Sequence, residues 1–166
     1  MSTLLEQTLA VGQGTARTRV ADSMITCPKT HGPGSSVDEI RALFDDDHVH
    51  IALIVAADRR LITTIERSDL AAATARSGPV AGLGTLAGRT VGPSSPLDAA
   101  TATLVREGRR RLAVVDHSGR LLGLLCLKRD GKGYCSDDGI RARANEFRRS
   151  QRHRSQHDKS QVERRR

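Results

Sequence analysis

The 166-residue chain is 37% apolar and only 2% aromatic, enough to bury one compact domain or a fused pair of small ones, and this excludes larger architectures. Its formal charge of +8 is concentrated at one end: from Arg141 onward ten Lys/Arg stand against three Asp/Glu, while residues 1–140 are close to neutral. A basic body shaped to hold nucleic acid is thereby excluded, and what remains is a basic tail.

That tail, RRSQRHRSQHDKSQVERRR, has one apolar residue, Val162, and cannot offset the entropy of ordering itself, so residues 148–166 are expected to be disordered. No stretch approaches the roughly 18 apolar residues of a membrane span, and MSTLLEQTLAVGQG has no basic segment ahead of a long apolar core, so the expected compartment is the cytoplasm. Cys27, Cys126 and Cys135 are odd in number and lack C-x-x-C spacing. They read as reduced thiols rather than a disulfide framework or a zinc site.

In chain order, residues 1–19 stand apart as an N-terminal segment. VADSMIT (20–26) reads as a leading strand, and CPKTHGPG, with two prolines and two glycines, as a loop. Val37, Ile40, Leu43 and Phe44 then form one apolar stripe at helical spacing, opened by a capping box of Ser36 with Glu39. IALIV (51–55), the polar turn AADRR and LITTI (61–65) predict a hairpin, and SDLAAATAR predicts a second helix with Ser68 as its N-cap. Residues 78–85 read as a linker. After it LAGRTVG repeats the leading strand, and Leu97, Ala100, Leu104 and Val105 repeat the helical stripe, with Ser95 ahead of Pro96 at the first helical position. LAVV (112–115), DHSGR and LLGLLCL (121–127) repeat the hairpin, and SDDGIRARANEF repeats the last helix with Ile140, Ala144 and Phe147 on one face.

The repetition is in register. An offset of 60 runs without a gap from Ser35 on Ser95 through the hairpin, placing Asp38 on Asp98, Val55 on Val115 and Arg60 on Arg120. Ahead of the helices Met24–Ile25 falls on Thr90–Val91 at an offset of 66, which predicts a six-residue insertion within CPKTHGPG. The predicted fold is α/β: two β-α-β-β-α units, 20–77 and 86–147, packed about a pseudo-twofold, because one unit alone would leave a face wet.

These units resemble tandem cystathionine-beta-synthase (CBS) domains, which consist of this unit in pairs. VADSMIT is similar to the family's V-x-D-x-M-T, and LITTIERSDL to its strand ending in Thr or Ser, then two residues, then Asp. The resemblance implies a homodimeric, non-enzymatic regulatory module that binds an adenosine-containing ligand (AMP, ADP, ATP or S-adenosylmethionine) in clefts between the copies. On this chain it implies Asp69 as the carboxylate that holds the ribose, Ile65 beside the base and Thr26 from the leading motif. Two departures bear on the ligand. Glu66 stands where Thr or Ser would hold phosphate, and its charge repels phosphate. In the second copy Cys126 and Arg129 occupy the positions of Glu66 and Asp69. The expected occupied cleft is therefore that of Asp69, with a ligand carrying few or no phosphates.

The remaining motifs carry less chemistry. Arg106, Arg109, Arg110 and Arg111 match the first-copy corner Asp45, Asp46, Asp47, His48 and His50, opposite in sign; such corners suit phosphate, a dimer contact or plain solvation. DDDHVH finds no third ligand at a known spacing, so no metal site is expected. GLGTLAG imitates a dinucleotide fingerprint but follows a helix rather than a strand. Asp116, His117 and Ser118 are consecutive in a turn and cannot converge as a triad, so no enzyme is expected. Cys126 and Cys135 have Lys128, Arg129 and Lys132 nearby, which favours thiolate, against the plainer reading of a small buried hydrophobe and a loop residue. The predicted function is a sensor acting through its adenosine ligand, a regulated partner protein or both. The alternative is a nucleic-acid-associated dimer whose tail binds phosphate non-specifically, with only Phe44, Tyr134 and Phe147 available to stack on bases.

Overall fold

A computed structural model of the chain describes residues 18–73, 78–146 and 148–149. Phe147 and the tail beyond Arg149 lie outside them. The first half holds a 3-10 turn at Val20–Asp22, helix α1 (Val37–Leu43), strands β1 (Ala52–Val55) and β2 (Leu61–Ile65), and helix α2 (Arg67–Ala72). The second holds a 3-10 turn at Val80–Gly82, β3 (Thr90–Val91), α3 (Leu97–Arg106), β4 (Arg111–Val115), β5 (Leu121–Cys126) and a last helix, α4, over 137–146. β1 and β2 are antiparallel; β3 is parallel to β4, which is antiparallel to β5. This is the predicted mixed α/β fold of two like units.

Local chemistry explains the helix starts. The Ser36 hydroxyl accepts the Glu39 N–H at 3.2 Å while the Glu39 carboxylate accepts the Ser36 N–H at 2.7 Å, so two of the unpaired amides of α1 are satisfied reciprocally. Pro96 is the N-cap of α3 rather than its first helical residue. Of the stripe predicted on α3, Ala100 and Leu104 are buried, but Val105 is 67% exposed because it lies a further 100° or so around the helix from Leu104.

The 60-residue offset runs further than the apolar pattern predicts. The two 3-10 turns are the same element 60 residues apart: the Val20 N–H donates to the Ser95 carbonyl and the Val80 N–H to the Ser35 carbonyl, and likewise Leu97 donates to Thr18 and Val37 to Gly78. Each half's leading turn thus caps the other half's helix. The insertion expected in CPKTHGPG is corrected by this pairing. The first-half counterpart of β3 is His31, which bridges Ile54 in parallel as Val91 pairs with Val114, and 31 and 91 are again 60 apart. Met24–Ile25 instead crosses to the other sheet, where Ile25 pairs with Leu124. The apolar pattern misplaced the strand because Ile25 is buried, at 4% exposure, but against the opposite unit; the strand at His31 is a single bridge with no apolar residue to announce it.

Three apolar clusters follow from this exchange. Ile25, Leu53, Leu61, Ala113, Leu121, Leu124 and Cys126 fill the space between the two sheets. Behind the first sheet Val37, Ile40, Phe44, Ile65 and Leu70 close over Val80, and behind the second Ala100, Leu104 and Leu125 close over Val20. The pseudo-twofold passes between Arg60 and Arg120, which bridge each other, with Leu61 donating to Gly119 and Leu121 to Arg59 in mirror fashion.

Candidate functional site

The crossed leading segments create two equivalent clefts, each bounded by the end of one hairpin, the start of the helix that follows it and the leading segment of the other half. In the first cleft the segment after Val80 runs over β2. The Thr85 N–H donates to the Thr64 carbonyl at 3.1 Å, the Thr64 hydroxyl to the Thr85 carbonyl at 2.6 Å and the Thr63 hydroxyl to the Leu83 carbonyl at 2.8 Å. Gly84 permits this approach: its φ is +73°, and a Cβ there would collide with the Thr64 carbonyl.

The same segment delivers Arg89 into the cleft. Its side chain is 6% exposed, and its two terminal nitrogens donate to the Asp69 carboxylate at 2.5 and 3.1 Å. Nη1 also donates to the Thr64 carbonyl at 3.1 Å, Nη2 lies 3.2 Å from Glu66 Oε2, and Arg109 Nε is 3.6 Å from Glu66 Oε1. Asp69 further accepts the Glu66 N–H at 2.7 Å, so the N-cap of α2 is Glu66 and not Ser68. Burial alone would raise the Asp69 carboxyl, but the hydrogen bonds from Arg89 and the Glu66 N–H and the charges of Arg89 and Arg109 outweigh it and hold it below the ordinary carboxylate range; the same pairing raises the Arg89 guanidinium.

The second cleft is built alike and furnished differently. Ile25 and Leu124 exchange backbone hydrogen bonds at 2.9 Å, and here the close approach is allowed by Gly123, where a Cβ would strike the Ile25 carbonyl and the Met24 sulfur. Beyond Leu127 the loop 128–136 breaks the 60-residue offset and carries Arg129 outward, exposed. Asp137, not residue 129, therefore stands at the helix start. It accepts the Thr26 N–H at 3.1 Å and the Thr26 hydroxyl at 2.8 Å, bonds that hold its carboxyl below the ordinary range. A cavity of about 430 Å³ opens here, lined by Asp22, Ser23 and Met24 from one half and by Tyr134, Cys135, Ser136, Asp137, Asp138 and Arg141 from the other.

The six predicted site residues are thus divided. Asp69 and Glu66 meet in the first cleft around Arg89. Ile65, fully buried, belongs to the cluster behind the first sheet. Thr26 holds Asp137 in the second cleft, Cys126 is buried beside Cys135, and Arg129 joins neither group. Sequence reasoning missed Arg89 and Asp137. Continuing the offset of 60 ahead of Ser35 would have set Arg89 on Lys29, two basic residues at one repeat position. The acidic and basic corners lie close to each other within the chain. Burial, and then the charges of Arg111 and Arg110, depress the His50 imidazole, and Arg67 donates to the Asp46 carbonyl at 3.3 Å.

Two repeated α/β units exchange their leading segments across a pseudo-twofold, with a cleft at each flank. Residues 88–129, from just before β3 to just past β5, match the CBS domain model. CBSX2, solved in complex with AMP, is 25% identical over 78% of this chain and 98% of that one, with a TM-score of 0.57. The CBS domain protein PAE2072 from Pyrobaculum aerophilum, complexed with AMP, is 20% identical over 69% of this chain and 95% of that one, with a TM-score of 0.55. The CBS domain pair of protein MJ0100, in complex with 5′-methylthioadenosine and S-adenosyl-L-methionine, is 16% identical over 78% and 98%, with a TM-score of 0.52. No curated protein matches the chain. Among the described residues no helix is long and apolar enough to cross a membrane.

Proposed function

We propose that the chain is a non-catalytic regulatory module that senses an adenosine-containing ligand in the second cleft, with the ribose on Asp137, and passes the bound state to a partner protein. The observation that carries this reading is the cavity of about 430 Å³ between the Asp22–Met24 segment and α4, a volume within the roughly 300–1,000 Å³ of small-molecule sites. Asp137 lines it, and a carboxylate has acceptor positions to spare beyond the bonds from Thr26. Related CBS structures containing AMP or S-adenosylmethionine support the ligand class.

The first cleft is the alternative seat, but there a ribose would have to take Asp69 from Arg89, exchanging a charged bidentate pair for neutral hydroxyls. In the second cleft, among the described residues, Asp22, Asp137 and Asp138 face one cation, Arg141, so this lining repels phosphate and tolerates a sulfonium. Adenosine, AMP or S-adenosylmethionine should therefore bind ahead of ATP. Calorimetric titration of the full chain tests this. Asp137→Ala should weaken AMP or S-adenosylmethionine by roughly 3- to 10-fold, the loss of an ordinary solvent-reached hydrogen bond, while Asp69→Ala, measured below its melting temperature, should retain affinity. The opposite pattern would move the ligand to the first cleft, and no binding by the wild type would overturn the reading.

A further inference from the structure

Cys126 and Cys135 play no part in the ligand chemistry above, yet their placement is specific. Cys126 ends β5 and is 2% exposed. The chain then turns back on itself: Leu127 bridges Tyr134 in antiparallel fashion, Lys128 donates to the Gly133 carbonyl at 2.9 Å and Cys135 to the Cys126 carbonyl at 2.8 Å. The Leu127–Tyr134 register makes Cys126 and Cys135 direct partners one rung along, so their side chains share a face, and their sulfurs lie 2.9 Å apart. On its other side Cys126 is in register with Arg111 of β4, whose buried Nη1 has no hydrogen-bond partner among the described residues. One face of three adjacent strands thus presents a guanidinium and two thiols in a row.

We propose that Cys126 and Cys135 form an oxidisable dithiol that a hydroperoxide converts to an intramolecular disulfide, latching the loop that walls the cavity of the second cleft. Cys135 reacts first, because it lines the cavity while Cys126 is buried and burial pushes its thiol up. The Cys135 thiolate attacks one peroxide oxygen: an S–O bond forms, the O–O bond breaks, and the departing alkoxide takes up the proton the thiol released. The Cys126 sulfur then attacks the sulfenic sulfur; the S–S bond forms, the S–O bond breaks, and hydroxide leaves with the Cys126 proton as water. Two thiols lose two hydrogens and two electrons, and the hydroperoxide is reduced to alcohol and water. A disulfide spans ~2.0 Å, so the sulfurs close by less than about 1 Å.

The full chain carrying Cys27→Ser, exposed to stoichiometric hydrogen peroxide, is the test. Thiols titrated after denaturation should fall from two per chain to none, and the intact mass should drop by two hydrogens. Peptide mapping should link 126 to 135, and dithiothreitol should restore both thiols. Amide exchange over 128–134 should slow on oxidation. In Cys135→Ser, where the partly exposed position accepts a hydroxyl without strain, loss of the Cys126 thiol should slow by at least about tenfold. Sulfinic acid at Cys135 with Cys126 still free, disulfides between chains, or a 126–135 bond that leaves exchange over 128–134 unchanged would overturn the proposal. No readout uses a nucleotide, so the result is independent of the ligand reading.

Discussion

Replacing Arg89 with Met tests whether the first cleft is a structural staple. The Arg89 side chain is 6% exposed, and Asp69 and Glu66, at 19% and 21%, converge on it. Removing the guanidinium leaves two largely buried carboxylates facing each other and takes one of two donors from the Thr64 carbonyl, which keeps the Thr85 N–H. Breaking a buried pair costs about 3–5 kcal/mol; because a fifth of each carboxylate still reaches water and Arg109 stays near Glu66, a somewhat smaller cost applies, roughly 2–4 kcal/mol. For a chain of this size each kcal/mol moves the melting temperature by roughly 2–4 °C, so the loss should be about 4–16 °C. Urea unfolding followed by far-UV circular dichroism should show a lower midpoint at an unchanged slope. Asp69→Leu combined with Arg89→Met removes one stranded charge along with its partner and should recover about half of the loss. A single variant within about 0.5 kcal/mol of wild type, or a double variant no better than the single, would refute the reasoning.

Two further perturbations follow from the same contacts. Burial, and then the charges of Lys29 at His31 and of Arg111 and Arg110 at His50, depress both imidazoles, so their folded values lie below the ordinary value of about 6.5. Their contribution is therefore complete above that value and is lost as pH falls from it through the folded values; the depressed carboxylates Asp69 and Asp137 add a second loss below about pH 4. Urea midpoints from pH 7.5 to 3 should decline in these two stages, and His31→Gln with His50→Gln should flatten the first; an unaltered first stage would show that the imidazoles are not its source. Gly123→Ala should cost about 2 kcal/mol or more, because the new methyl meets the Ile25 carbonyl, a backbone atom that cannot swing aside. A melting temperature equal to wild type would show that the crossed segment can yield.

Much of this fold was legible because each unit carries a full helix stripe and a hairpin of branched residues, and those signals are local. The turn at Arg59 shows the strength of the repeat: Arg59 is at φ +68°, and its mate 60 residues on, Gly119, is at φ +80°, so one left-handed position is filled by glycine in one copy and by arginine in the other. What could not be read was partnership. Ile25 and Val80 look like any buried residues in their own segments, and nothing in their periodicity says that each is buried by the other unit. The charges behaved likewise. Asp69 was legible as an acid at a helix start, but its function as a ligand group or as half of an ion pair depends on Arg89, which a crossed segment brings to it from 20 residues away. Asp137 escaped because the loop 128–136 shifts the second helix out of register with the repeat.

The exchange of leading segments also explains how two equivalent clefts came to differ. Each leading turn is a core residue of the opposite unit, Val20 behind the second sheet and Val80 behind the first, both fully buried, so the halves share one cooperative core and neither can be trimmed without uncapping the other's helix. With the scaffold held in common, the clefts are free to diverge at single positions. At one repeat position Arg89 is drawn inside to neutralise Asp69 and Glu66, whereas Lys29, its mate, stays exposed and leaves Asp137 to the neutral Thr26. A carboxylate satisfied by a guanidinium resists a neutral ribose; one held by a hydroxyl and an amide can exchange or share its bonds at little cost. If the second cleft is the seat proposed above, the cleft closed by charge stabilises the pair and the one whose carboxylate is held by Thr26 is the one that responds.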